Sequence, residues 1–351
     1  MKLRLGIVGL GPGWQKRYRG ALRALSDRFQ VRVFCEAVAH RARQAAREFD
    51  TDWEQGFRSL VQREDVDALL VLSAQWYGVL PVLAACKAGK AVFCTNSLAL
   101  SLQQAQHLRQ SVLQSGVAFM AEFPQRYAPA TTRLKELIVT RLGQPRLLFC
   151  HVRVPQQEPS SRQGEPLGAN GPFAGLVELV DLCRFVVGRD PGSVLGVVHG
   201  SPQGRFEGDY QLIHLEFPHP ERPELSAMAN ISYGRYIPSS WPEAVSFRPP
   251  AALQVQCEHG IAFIDWPDKV VWFDSAGRHL ENLESERPLG ELMLLQFYRH
   301  VTSLVRRTES LEDAYRALVV VRRAEQSVQE GRRIVLHWDQ QDQQDPEALS
   351  A

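Results

Sequence analysis

The chain has 351 residues, 44% apolar and 23% charged, with 40 basic against 39 acidic side chains and a formal net charge of +1. That length predicts two domains, each able to bury its own core. The even charge balance, with no basic block, predicts no nucleic-acid or anionic-membrane partner, and no run of ~18 apolar residues marks a membrane-spanning helix.

Leu3–Val8 reads as a short buried strand, followed by a glycine-rich turn and a helix from Gly13 to Leu25. The start of the chain is basic and then apolar, but Gly6, Gly9 and Gly11 interrupt it. A secretory signal needs an apolar core of ~7–15 residues, so a cytoplasmic location is the expectation. Val31–Cys35, Ala68–Leu72, Ala91–Cys94 and Ala118–Ala121 read as further strands, with helices at Ala39–Phe49, Leu80–Ala88 and Leu102–Ser115 between them. Short apolar strands alternating with helices predict βαβ units on a parallel sheet.

Beyond about residue 125 the pattern changes. A helix at Ala130–Thr140 leads into a long strand at Arg146–Val154, and residues 155–172, rich in Pro, Gly, Ser and Gln, read as an active-site-type loop. Leu176–Val187 reads as an apolar helix. Strands follow at Val194–His199, Tyr210–Phe217, Ser226–Tyr233, Ala252–Glu258, Ile261–Asp265 and Val270–Asp274. So many strands with little helix between them predict a largely antiparallel sheet. Helices at Leu289–Arg307 and Leu311–Glu330 close the pattern, and residues 339–351 read as a polar, disordered tail. The predicted organisation is an α/β Rossmann domain over residues 1–122 and an α+β domain over 123–338. Six scattered cysteines (Cys35, Cys86, Cys94, Cys150, Cys183 and Cys257) form no CxxC pair. They read as reduced structural thiols, and with no zinc-type spacing of Cys and His no metal is expected.

The turn after the first strand carries the chemistry. Gly9 permits a tight bend, Gly11 lets the backbone approach a diphosphate, and the N-terminus of the following helix favours its charge. Pro12 and Gly13 complete the turn. The third glycine of the dinucleotide fingerprint would fall at Trp14, with Gly13 one residue early, so either the turn still admits a dinucleotide or Trp14 fills the space and hinders it. Glu36 ends the second strand, where a carboxylate accepts hydrogen bonds from the adenosine ribose and favours NAD; Arg41 and Arg43 nearby leave NADP open.

Taken together, these pieces resemble the Gfo/Idh/MocA oxidoreductase family. The resemblance runs through GIVGLGPG at 6–13, EDVDALLV at 64–71, AGKAVFC at 88–94, QRYAP at 125–129, DLCRFVVG at 181–188 and AEQSVQEG at 324–331. It implies a Rossmann domain followed by a domain with an open, mostly antiparallel sheet, a nicotinamide cofactor (NAD or NADP) and a sugar-like small-molecule substrate. Ser73 and Gln75 stand in the loop where the family has Thr-Pro-Asn, with Gly78 in place of the histidine that follows. The catalytic positions depart from the family. Its Glu-Lys-Pro is Thr95-Asn96-Ser97 here, and its Asp-x-x-x-His-x-x-Asp is Ala174, Glu178 and Asp181, so only Asp181 is kept.

Oxidising a secondary alcohol requires a group to take the hydroxyl proton, help worth ~10²–10⁴-fold. Asn96 can donate a hydrogen bond but takes no proton at ordinary pH. Glu178 can take one if apolar neighbours raise its pKa, and Asp181 lies three residues on, on a neighbouring position of the same helix face. The plain alternative makes Glu178 a cap or the partner of Arg126 or Arg184. Arg126 binds substrate or forms a salt bridge, and His151 and His199, both in strands, read as structural. Two functions stay open at this point: a divergent NAD(P)-dependent oxidoreductase with Asn96 and Glu178 replacing the usual pair, and a catalytically lapsed binding protein serving as sensor or assembly partner. An open sheet with an apolar face also predicts a homodimer or homotetramer through the second domain.

Overall fold

β1 (Leu3–Val8) is buried along almost its whole length, as a strand covered on both faces requires. Around it β2 (Phe29–Cys35), β3 (Asp52–Glu54), β4 (Ala68–Val71), β5 (Ala91–Cys94) and β6 (Phe119–Ala121) run parallel in the order β3-β2-β1-β4-β5-β6. The computed structural model describes residues 2–11, 13–73, 77–95, 100–155, 176–200, 210–237, 240–247, 250–284, 287–303 and 309–338.

The helices between these strands are α1 (Arg19–Ala24, entered through a π turn at Trp14–Tyr18), α2 (Ala39–Phe49), α3 (Phe57–Gln62), α4 (Leu80–Lys87) and α5 (Leu102–Ser115). Their ends follow local rules. Gly89 turns the chain after α4 at φ +66°. Ser101 and Gln104 form a reciprocal capping box at the start of α5. Short helices α6 (Pro124–Tyr127) and α7 (Pro129–Leu137) follow β6.

Two compact units result: residues 1–129 with 284–318, and residues 130–283 with 319–351. The first unit recovers a helix from late in the chain, α10 (Leu289–Thr302), which follows α8 (Val177–Val187) and α9 (Pro242–Ser246) of the second unit. Met293, Leu294 and Phe297 of α10 join the core built on Leu5, Ile7 and Phe93, and the Phe93 and Phe297 rings meet edge-on at 5.7 Å. The sequence reading had put this helix in the second domain; its amphipathic pattern shows a buried face without showing which core receives it.

The second unit carries nine strands: β7 (Pro145–Pro155), β8 (Ser193–His199), β9 (Tyr210–Phe217), β10 (Ala227–Ile237), β11 (Leu253–Cys257), β12 (Ile261–Asp265), β13 (Lys269–Asp274), β14 (Gly277–Asn282) and β15 (Ile334–Val335). Their order is β14-β13-β12-β11-β7-β10-β9-β8-β15, antiparallel except for the parallel pair β7–β10. The two expected sheet types are thus both present. α8 (Val177–Val187) packs on one face, where the buried Cys150 and Cys183 sulfurs lie 3.6 Å apart. All six cysteines are free and buried. On the opposite face Phe149, Val197, Met228, Phe273 and Leu280 stay 38–49% exposed. α11 (Glu309–Glu330) closes the helices. The expected loop at 155–172 and tail at 339–351 fall on, or almost wholly on, positions outside the described residues. Among the described residues no helix is long and apolar enough to cross a membrane.

Candidate functional site

The strand order reverses direction between β1 and β4, and the chain segments leaving those two strands meet there. Gly9 has φ +81°, open to glycine and strained for other residues. A β-carbon on Gly9 would stand 2.5 Å from Ser73 Cβ, and one on Gly11 would stand 2.6 Å from Ser73 Oγ and 2.9 Å from Leu72 O. Both glycines are therefore required by close approach to the end of β4. Gly13 differs: its β-carbon would meet only side-chain atoms of Tyr18 at 3.6 Å and Arg17 at 3.8 Å, ordinary contacts. The turn closes through the Trp14 N–H, which donates to Gly11 O at 3.0 Å.

Trp14 does not line the turn with its ring. Its indole is 2% exposed and sits edge-on to Phe34 at 5.3 Å, with Phe49 at 5.5 Å. The side chain in the third-glycine position is thus absorbed by the core under the π turn.

Glu36, directly after β2, is buried, and its carboxylate accepts from the Leu10 N–H and, at 3.4 Å, from Val38 N–H. Arg41 donates to the Leu10 carbonyl, so both backbone polar groups of Leu10 are held. Arg43 lies over the Trp53 ring at 4.7 Å. Burial pushes the neighbouring Cys35 thiol up to about 11.

A second carboxylate at the same edge of the sheet escaped the sequence reading. Glu122 follows β6, is 3% exposed, accepts from the Tyr18 hydroxyl and lies 3.1 Å from Arg17 Nη2. It ties the π turn to the far side of the sheet. The available signal was its place: an acid directly after a short buried strand, as Glu36 is. Arg126 pairs with Asp313 at 2.7 Å and lies over the Phe123 ring at 5.3 Å.

In the second unit Glu178 is half-buried in the first turn of α8, whereas Asp181 is fully buried. The Asp181 carboxylate is 3.6 Å from Arg184, which also donates to Asp190 at 2.7 Å. The two carboxylates expected to share one helix face therefore have different surroundings, and the Arg184 suggested for Glu178 is shared by Asp181 and Asp190. His151 Nδ1 lies 2.5 Å from Ser232 Oγ on the adjacent strand, and burial, with Arg153 nearby, holds its pKa below the ordinary value. His199 lies exposed at the end of β8. Pro12, Gln75, Asn96 and Ala174 lie outside the described residues. The structure thus brings Gly9, Gly11, Ser73 and Glu36 together in one unit and places Glu178 and Asp181 on one helix of the other. Among the described residues no three His, Cys, Asp or Glu side chains form a group that could hold a metal.

Residues 3–123 match the model of the Gfo/Idh/MocA oxidoreductase family, described as an NAD-binding Rossmann fold. An inositol 2-dehydrogenase from Pseudomonas savastanoi pv. phaseolicola is 27% identical over 77% of this chain and 82% of its own length. A 1,5-anhydro-D-fructose reductase from Ensifer adhaerens is 29% identical over 42% of this chain and 45% of its own. An aldose–aldose oxidoreductase from Caulobacter crescentus superposes with a TM-score of 0.80, covering 96% of this chain and 100% of that one, at 15% identity. At that identity the likeness concerns the fold.

The glycine contacts make a test of the turn. Gly11→Ala is expected to lower stability by about 1–3 kcal/mol through overpacking against Ser73 and Leu72, and Gly13→Ala to change it by less than about 0.5 kcal/mol. Urea unfolding of the two variants checks this, and equal losses would contradict the assigned close approach.

Proposed function

As a member of the Gfo/Idh/MocA oxidoreductase family the chain carries a nicotinamide-dinucleotide-binding domain, and we propose that it interconverts a secondary alcohol and a carbonyl on a sugar, polyol or related hydroxylated small molecule. The observation that carries this proposal is the glycine turn, wedged against Ser73 at the reversal of strand order with Glu36 at the next strand end. Crevices at such reversals, beyond the carboxyl ends of parallel strands, are where dinucleotides bind.

These residues fit the cofactor. We assign the Gly11 and Gly13 amides to the diphosphate, with Gly9, Pro12 and the Trp14 backbone shaping the turn. Ser73 lines it from just after β4, and Gln75 is assigned to the same ligand. Glu36 faces the adenosine ribose and favours NAD, because a carboxylate repels a 2′-phosphate. The arginines that would welcome that phosphate are engaged, Arg41 with the Leu10 carbonyl and Arg43 with Trp53.

When bound, the nicotinamide ring supplies the hydride acceptor or donor. The chain's own residues must then manage the proton at the substrate oxygen. We assign that proton to the Glu178 carboxylate, half-buried among the apolar residues of α8, and a polarising hydrogen bond on the same oxygen to Asn96. Asp181, enclosed with Arg184, is a positioning residue that fixes the helix presenting Glu178. Arg126, oriented by Asp313, is assigned to substrate hydroxyls. The named relatives are a dehydrogenase and a reductase, which favours turnover over a lapsed binding protein.

Two further features complete the proposal. Free, buried cysteines suit a reducing compartment such as the cytoplasm. The apolar outer face of the second sheet is suited to cover by a second copy, giving a homodimer or homotetramer.

With NAD and a panel of polyols and sugars that includes inositol, turnover is expected, and Glu178→Gln is expected to lower kcat by ~10²-fold or more. An unchanged kcat would remove Glu178 from the mechanism, and no turnover on any member would contradict the redox proposal. Light scattering is expected to give a dimer or tetramer that Phe149→Glu with Met228→Glu dissociates; a monomeric parent protein would refute the interface.

A further inference from the structure

Arg146 and Arg189 each carry a buried guanidinium nitrogen that no described residue answers. Arg146 shares its alternation along β7 with Leu148 and Cys150, so it points to the side of the sheet that α8 covers. Arg189 follows α8 directly after Gly188, where the chain turns at φ +76°. The register brings the two to one end of the sheet. β10 runs parallel to β7 with Met228 opposite Leu147, and Arg189 Nη2 donates at 3.0 Å to the carbonyl of Leu225, just before β10 begins.

In both guanidiniums Nη1 is buried and, among the described residues, has no hydrogen-bond acceptor. Burial, and after it the charge of Arg146, hold the Arg189 guanidinium below its ordinary value. Of the acceptors at this end of α8, Asp190 pairs with Arg184, and the Phe185 and Val186 carbonyls accept from Lys135 at 3.0 and 3.3 Å. A buried donor without an acceptor is costly, and in native proteins a bound water or ion commonly accounts for it. One water cannot offset two like charges; an oxyanion can, because planar guanidinium forks match its oxygens two at a time.

We propose that Arg146 and Arg189 together form a binding site for a phosphate group, free or carried on a sugar, in the second unit. Both residues are half-buried, so part of each side chain is open to solvent. The site lies at the opposite end of α8 from Glu178, roughly 16 Å away along an eleven-residue helix. It is therefore separate from the groups assigned to proton transfer and stands whether or not a dinucleotide binds.

The test is thermal melting of the full chain in inorganic phosphate against chloride at matched ionic strength. The parent is expected to show a saturable rise in melting temperature specific to phosphate. Arg146→Met removes a guanidinium Nη1 that has no acceptor among the described residues. It is expected to melt no lower than the parent in chloride and to lose phosphate affinity by roughly 10- to 100-fold. Arg189→Lys, which keeps the charge and loses the fork, is expected to weaken binding by less. A hexose monophosphate arm separates the two sources: tighter binding than inorganic phosphate assigns the site to a sugar-borne group, weaker or equal binding to the free ion. A response no larger than that of chloride, or one that survives Arg146→Met undiminished, overturns the proposal.

Discussion

The turn that leaves β1 is held down by one serine. Neither Gly9 nor Gly11 has room for a β-carbon beside Ser73, and the Leu72 carbonyl crowds Gly11 as well. The chain therefore passes directly over the end of β4, at the place where the strand order reverses. Backbone packed this closely leaves amide groups, rather than side chains, as the surface a ligand meets. That is the constraint on which a diphosphate site depends.

The surrounding side chains keep that backbone in place before any ligand arrives. Glu36 and Arg41 hold the N–H and the C=O of Leu10. Glu122 joins Tyr18 and Arg17 to the end of β6. Trp14 anchors the π turn from beneath, between Phe34 and Phe49. Preorganisation of this kind lowers the ordering cost of binding. In the second unit the Asp181–Arg184–Asp190 group does comparable work for α8, leaving Glu178 as the carboxylate of that pair with partial exposure.

Much of the fold was legible because apolar alternation is a local signal. The strands β8 to β13 follow it closely. β14 escaped because Arg278, His279, Glu281 and Asn282 make it a polar edge strand, and β3 because it is three polar or half-buried residues at the other sheet's edge. Tertiary choices were not legible. Nothing local to Leu289–Thr302 says that Phe297 meets Phe93, and nothing local to Trp14 says that two phenylalanines receive the indole. At the site, Gly9, Gly11 and Glu36 could be read from their place at strand ends. Ser73's role as the surface that excludes a β-carbon depends on a neighbouring strand sixty residues on, and so required the sheet order. Glu122 carried the same strand-end signal as Glu36 without a glycine motif beside it.

The central claim is that this turn holds a nicotinamide dinucleotide, and calorimetric titration tests it most directly. Saturable binding of NADH is expected, tighter than that of NADPH if Glu36 takes the ribose as proposed. No heat with NAD, NADH, NADP or NADPH would contradict the account and leave the architecture alone standing.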